Sequence, residues 1–141
     1  MKEAVINAED CAVGRLASLV AKRLMNGEMI FIVNAEKAVI TGDQAFTFSN
    51  YKQKTDRGDE YLGPFYPKYP DQIIKRTVRG MLPYNKPKGR KAFKSLKVFI
   101  SVPDMLKKRD LETVERAKSN LKHKYSTLGD LSLKLGAKKK W

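Results

Sequence analysis

The chain has 141 residues, with 29 Lys+Arg against 15 Asp+Glu and a formal net charge of +14. Its 42% hydrophobic content predicts a packed core in one domain over residues 1–141 and excludes a disordered basic tail. The single cysteine, Cys11, excludes an internal disulfide and paired-cysteine zinc sites and fits a reducing, cytoplasmic setting; the start MKEAVINAED has no apolar signal segment, and the longest apolar run, MIFIV (29–33), is too short to span a bilayer.

Val5 and Ile6 mark a short first strand. Val13, Leu16, Ala17, Val20 and Leu24 then fall on one stripe of a helix over 13–26, with Arg15, Lys22 and Arg23 off the stripe. Asn26-Gly27 is its stop signal. MIFIVNA (29–35) is continuous and β-branched, as expected of a strand apolar on both faces and covered on both sides. AVIT (38–41) predicts a third strand, closed by Gly42. The strand–helix–strand order implies parallel pairing through a right-handed crossover. Residues 43–56 are expected to be helical, with contacts from Phe46, Phe48 and Tyr51. RGDEYLGPFYPKYP (57–70) reads as a long irregular loop, of the kind that is functional rather than idle when rich in aromatics.

Pro70 can open the next helix. Ile73, Ile74, Val78, Met81 and Leu82 are its expected buried side, and Lys75, Arg76 and Arg79 share the opposite face. Pro83 ends it. The connector YNKPKGRK (84–91) leads to a short helical piece around Ala92 and Phe93. LKVFISV (96–102) alternates, with Leu96, Val98, Ile100 and Val102 on one side of a fourth strand. Asp110 reads as the N-cap of a further helix striped by Leu111, Val114, Ala117 and Leu121, and the tail STLGDLSLKLGAKKKW is expected to dock on the surface.

Charge is unevenly distributed. Residues 1–45 are net −1, residues 46–67 are neutral, residues 68–97 hold ten basic residues and one acidic, and residues 98–141 are net +6. Such a block repels itself unless a polyanion is present. Residues 70–82 can be drawn as a basic membrane-surface helix, but their apolar side reads better as packed on a core, so no membrane partner is expected. No recognition helix, zinc finger, basic zipper, RRM or KH signature is present, which leaves shape-driven binding of a folded RNA.

Catalytic chemistry is not marked. GRLAS (14–18) and RGMLP (79–83) are neither phosphate loops nor dinucleotide fingerprints. The one histidine, His123, lies in a Lys-rich segment and reads as a surface residue near a helix end. Cys11 reads as a structural thiol, and the carboxylates are scattered. The expectation is a non-enzymatic chain with no cofactor, metal or small-molecule substrate. The candidate RNA-binding residues are Lys52, Lys54, Arg57, Lys68, Lys75, Arg76, Arg79, Gly80, Tyr84, Lys86, Lys88, Arg90, Lys91 and Lys94. Lys and Arg bind phosphate by charge, Arg in a fork. Tyr84 is the aromatic best placed to stack on a base, and glycines 80 and 89 would let a backbone approach RNA closely.

Several of these strings occur together in order. D-x-x-x-GRLAS-x-x-A-K (10–22), VNAE (33–36), TG (41–42), GP (63–64), R-x-VRGMLP (76–83), G-x-x-A (89–92) and LKV (96–98) resemble the L-thirteen family of universal large-subunit ribosomal proteins, in its archaeal type. The resemblance implies an α/β fold, a three-layer α/β/α arrangement around a four-stranded, mainly parallel sheet, with basic loops and a C-terminal helix. It implies a structural role in the large ribosomal subunit: binding large-subunit rRNA, touching neighbouring ribosomal proteins and supporting assembly. By the same resemblance Arg76, Arg79, Gly80, the segment Lys88 to Lys91, and Arg15 face RNA. Two positions depart from the family pattern: Lys68 stands where many archaeal-type members have Arg, and Ser101 where a Gly is usual. The residues alone leave open an RNA-modifying enzyme or a messenger-binding translational regulator.

Overall fold

The computed structural model describes residues 2–141. Its strands are β1 (Glu3–Asn7), β2 (Met29–Val33), β3 (Val39–Thr41), β4 (Leu96–Val98) and β5 (Tyr125–Thr127). Its α-helices are α1 (Val13–Met25), α2 (Gln44–Asp56), α3 (Pro70–Met81), α4 (Pro87–Lys94) and α5 (Leu128–Lys134).

The crossover from β1 through α1 to β2 is parallel, with Glu3 opposite Met29 and Asn7 opposite Val33. β4 adds to the other edge of β2, also parallel. Side chains on β2 alternate as the pleat requires. Ile30 and Ile32 face the main core with Ile6, Leu96 and Val98, against Leu16, Val20 and Leu24 of α1 and Ile73, Ile74 and Val78 of α3. Each such side chain contributes about 1.5–3 kcal/mol on burial, which is why this stripe and not local propensity holds the helices in place. Val33 and Val5 face the other side, where Leu106, Phe31, Phe99 and Val102 cover them. Among the described residues, no α-helix enters that second cluster.

The fold is therefore mixed α/β, but the expected single four-stranded sheet is two sheets: β1-β2-β4, and a separate antiparallel pair β3-β5. The chain leaves the first sheet just after β2. Asn34 takes a left-handed φ of 57° and its amide donates to Asn7 Oδ1 at 3.0 Å; a single 3-10 turn, Ala35–Lys37, follows. Glu36, on that turn, is buried and its carboxylate accepts from the Ser101 backbone N–H at 2.9 Å and hydroxyl at 3.3 Å. Ser101 itself has φ +56°. That conformation favours glycine, and the two bonds from Glu36 hold a serine in it.

Five further expectations are corrected. The fourth strand stops at Val98 and does not run on to 102, because the left-handed Ser101 bends the chain out of the sheet. Met81 is 46% exposed and so lies off the buried side of α3. The connector at 84–91 is mostly helical: Pro87 supplies the first residue of α4, its fixed φ suiting that position. The helix expected after Asp110 does not form; only Glu115–Ala117 makes a 3-10 turn. That segment instead runs along the free edge of β1. Glu112 N–H donates to Val5 O at 2.7 Å, Asn7 N–H donates to Glu112 O at 3.0 Å, and Ser119 N–H donates to Asp10 O at 2.8 Å. These bonds satisfy edge groups that a helix would have left unpaired. The tail is no surface appendage either, since Leu128, Leu131 and Leu135 belong to the main core.

Candidate nucleic-acid interface

Two helices carry the basic block. α3 begins at Pro70 with Asp71 in its first turn, which suits the positive end of the helix. Burying Ile73, Ile74 and Val78 turns Lys75, Arg76 and Arg79 outward. α4 has no acidic residue in its first turn, and Lys86 and Lys88 stand at its positive end. That end is electrostatically unfavourable in isolation and improves when an anion arrives. Among the described residues, none of the cations between 68 and 97 has a carboxylate partner; the ion pairs lie elsewhere, as in Arg23 with Glu28 and Glu112, and Arg109 with Glu3.

Aromatic rings hold Lys75, Arg76 and Arg79 of this block in place. The Arg79 guanidinium lies 4.3 Å from the centre of the Tyr84 ring, which meets Phe93 edge to face with ring centres 5.7 Å apart, and Lys75 lies over Phe93 at 5.6 Å. Arg76 lies over Tyr66 at 5.7 Å and donates to Phe65 O at 3.2 Å, which ties the loop 57–69 to α3. Lys54 of α2 sits 5.4 Å from the same Tyr66 ring and 5.0 Å from Tyr51. Each cation–ring contact contributes about 0.5–1 kcal/mol at an exposed site. Burial pushes the Tyr51 hydroxyl up to about 12, with Tyr66 beside it adding to the effect. Burial raises Tyr66 as well, against the opposing pull of Arg76. Both phenols therefore stay neutral and add no negative charge beneath the basic face.

Arg76, Arg79, Gly80, Leu82, Pro83, Tyr84 and Lys86 line one open depression where α3 turns into α4. Lys88, Lys91 and Lys94 are exposed along α4. Lys68 is exposed just before α3, Arg57 is exposed at the end of α2, and Arg15 is exposed on the first turn of α1. Four of the candidates also make contacts within the protein. Lys52 pairs with Asp56 at 3.1 Å, so its charge is partly answered within α2. Arg90 folds back, donating to Tyr84 O at 3.1 Å and Asn85 O at 3.0 Å, and so braces the turn. The Tyr84 ring already stacks under Arg79, so it positions a guanidinium before any base arrives. Gly89 likewise serves the protein: a methyl group there would overlap the Pro83 carbonyl.

Two residues join the candidates. Lys97 is exposed on β4 beside Lys75 and Lys94 around another shallow depression. It lies inside the basic block, where the alternation of LKVFISV marks it only as part of a strand. Lys140 lies over Tyr69 at 4.1 Å, which brings the basic tail to the start of α3; no local signal in the sequence joins them. Cys11 is fully buried, donates to Asn7 O at 3.6 Å, and its thiol is pushed up by burial, which is the structural reading. His123 is exposed, but in an irregular segment and not at a helix end. No described group of three or more His, Cys, Asp or Glu could hold a metal, and no described helix is long and apolar enough to cross a membrane.

The Archaeoglobus fulgidus protein named large ribosomal subunit protein uL13 is 50% identical over 135 residues, covering 94% of this chain and 86% of its own length. The Methanosarcina barkeri protein of the same name is 49% identical over 139 residues, covering 95% and 98%, and that of Methanosphaera stadtmanae is 46% identical over 138 residues, covering 95% and 97%. The sequence pattern described as ribosomal protein L13 matches residues 1–105, which span β1 to the turn after β4, and the chain belongs to that family.

Proposed function

We infer that this chain is a structural constituent of the large ribosomal subunit, in its archaeal type, and not an enzyme. It binds large-subunit rRNA through the face built by α3, α4 and residues 64–69 of the loop before α3, and neighbouring ribosomal proteins are its other partners. The observation that carries this reading is the block of ten cations at 68–97 with one acid, in a chain whose relatives bear the name of a large-subunit protein. Those cations lack internal carboxylate partners, and four of them are positioned by the protein: Lys75, Arg76 and Arg79 by rings, Arg76 and Arg90 by bonds to backbone carbonyls. Phosphate is the ligand that relieves their repulsion, Arg76 and Arg79 offering forked donors and Lys86, Lys88, Lys91 and Lys94 point charges. Gly80 has open space around it, so a sugar–phosphate strand can approach the end of α3.

The test is sedimentation of extract from the source cells on a gradient, before and after a high-salt wash. Salt-resistant co-migration with the large subunit is the expected result. Recovery mainly at the top of the gradient overturns the reading and brings forward a free messenger-binding regulator or an RNA-modifying enzyme.

A further inference from the structure

The loop between α2 and α3 ends in a narrow hairpin whose chemistry differs from the face beside it. Asp59 N–H donates to Gly63 O at 3.1 Å and Gly63 N–H donates back to Asp59 O at 3.1 Å, leaving Glu60, Tyr61 and Leu62 as the tip. Gly58, with φ +95°, lies so close to Gly63 and Pro64 that any side chain there would overlap the backbone. The neck is thus closed by backbone contact, and the tip is shaped before a partner arrives, which lowers the ordering cost of binding.

Tyr61 and Leu62 are each 86% exposed. Two adjacent large apolar side chains held out on a closed hairpin form an anchor, of the kind that carries binding energy when seated in a pocket. The charge at the tip is also inverted. Asp59 and Glu60 are exposed and have no cationic partner among the described residues, in a chain of net charge +14. Two free carboxylates beside the anchor repel a phosphate backbone and attract Lys and Arg.

We propose that the 59–62 tip docks into an apolar recess on a basic protein, and not onto RNA. Tyr61 and Leu62 fill the recess, and Asp59 and Glu60 meet cations at its rim. The proposal rests on the ribosomal reading above, because it places that protein beside this chain in the same particle.

The experiment uses full-length chain assembled into large subunits, with a benzophenone amino acid replacing Tyr61 in one preparation and Lys88 in another. After irradiation, the position-61 adduct is expected to survive ribonuclease and to contain a single second protein rich in Lys and Arg, whereas the position-88 adduct is destroyed by ribonuclease. Adding Asp59→Lys and Glu60→Lys to the position-61 chain is expected to lower the protein adduct about fivefold or more. An RNA adduct at position 61, or no protein adduct there while position 88 labels RNA, overturns the proposal and leaves the ribosomal reading intact. A protein adduct unmoved by the charge reversals overturns the electrostatic recognition. Failure of both chains to enter the subunit, when unsubstituted chain enters, is traced to the probes by a third chain probed at exposed Lys107; if unsubstituted chain also stays out, the ribosomal reading fails and this proposal falls with it.

Discussion

Gly80 and Gly89 sit in one basic stretch and look interchangeable on the page, yet their surroundings are opposite. Nothing lies within 4 Å of where a Cβ would stand at Gly80, whereas at Gly89 it would meet the Pro83 carbonyl and the Tyr84 nitrogen. Gly89 is what lets α4 press against the turn that ends α3. Gly89→Ala is therefore expected to lower unfolding stability by roughly 1–3 kcal/mol, as overpacking against backbone does. Gly80→Ala is expected to raise it by up to about 1 kcal/mol, because alanine suits a helix and meets no neighbour. Urea unfolding of both variants checks this, and equal shifts for the two would contradict the geometry. Measured against RNA, the order reverses if a strand approaches α3: Gly80→Ala then weakens binding in spite of its greater stability.

Between elements, the question is which cations answer RNA and which answer the protein. Lys88, Lys91 and Lys94 project from α4, while Arg90 from the same helix holds the carbonyls of Tyr84 and Asn85. Alanine at any one of the three lysines is expected to flatten the plot of log affinity against log salt by roughly 0.7–0.9, with unfolding unchanged. Arg90→Ala is expected to cost about 1 kcal/mol of stability, and Arg90→Lys to leave most of that loss in place, since one ammonium cannot reproduce a two-point brace. Titrations at several salt concentrations beside unfolding curves separate the two classes; a lysine variant that unfolds more easily than Arg90→Ala would refute the division. This division was not legible in the sequence, where all four residues are simply basic. What was legible is what periodicity controls: α1 and α3 from their apolar stripes, and β2 from a run with no polar residue. The false helix after Asp110 shows the limit. Leu111, Val114, Ala117 and Leu121 match helical spacing, but Leu111 and Leu121 are exposed, and the demand that won was the unpaired edge of β1. A long-range hydrogen-bond demand leaves no periodic trace. The inverted tip at Asp59–Leu62 was hidden for a related reason: in residues 46–67, three bases and three acids cancel, and only the fold shows that the free acids gather at one hairpin.

For the molecule as a whole, the C-terminal segment decides how far the core extends. The family pattern ends at residue 105, where the first sheet alone would place the end of a self-sufficient unit. The packing argues otherwise. β5 pairs with β3, Leu128 N–H donates to Ala38 O at 2.9 Å, and Leu128, Leu131 and Leu135 enter the same cluster as Leu16, Ile32 and Ile74. Thr127 caps α5 by accepting from Asp130 N–H at 3.3 Å, so the helix enters that cluster at a fixed angle. Three buried leucines at about 1.5–3 kcal/mol each approach the whole net stability of a domain, commonly about 5–15 kcal/mol. Self-repulsion at net charge +14 reduces the margin further in the absence of RNA. We propose on this ground that residues 2–141 unfold as one unit. Deletion of 125–141 is expected to abolish the cooperative thermal transition. Lys138→Gln with Lys139→Gln, which removes two exposed charges and no packing, is expected to leave the transition in place with a midpoint equal or slightly higher. Calorimetry on the three chains tests this: a truncated chain that kept a sharp transition near the full-length midpoint would mean that the β3-β5 pair and α5 form a unit separable from the first sheet.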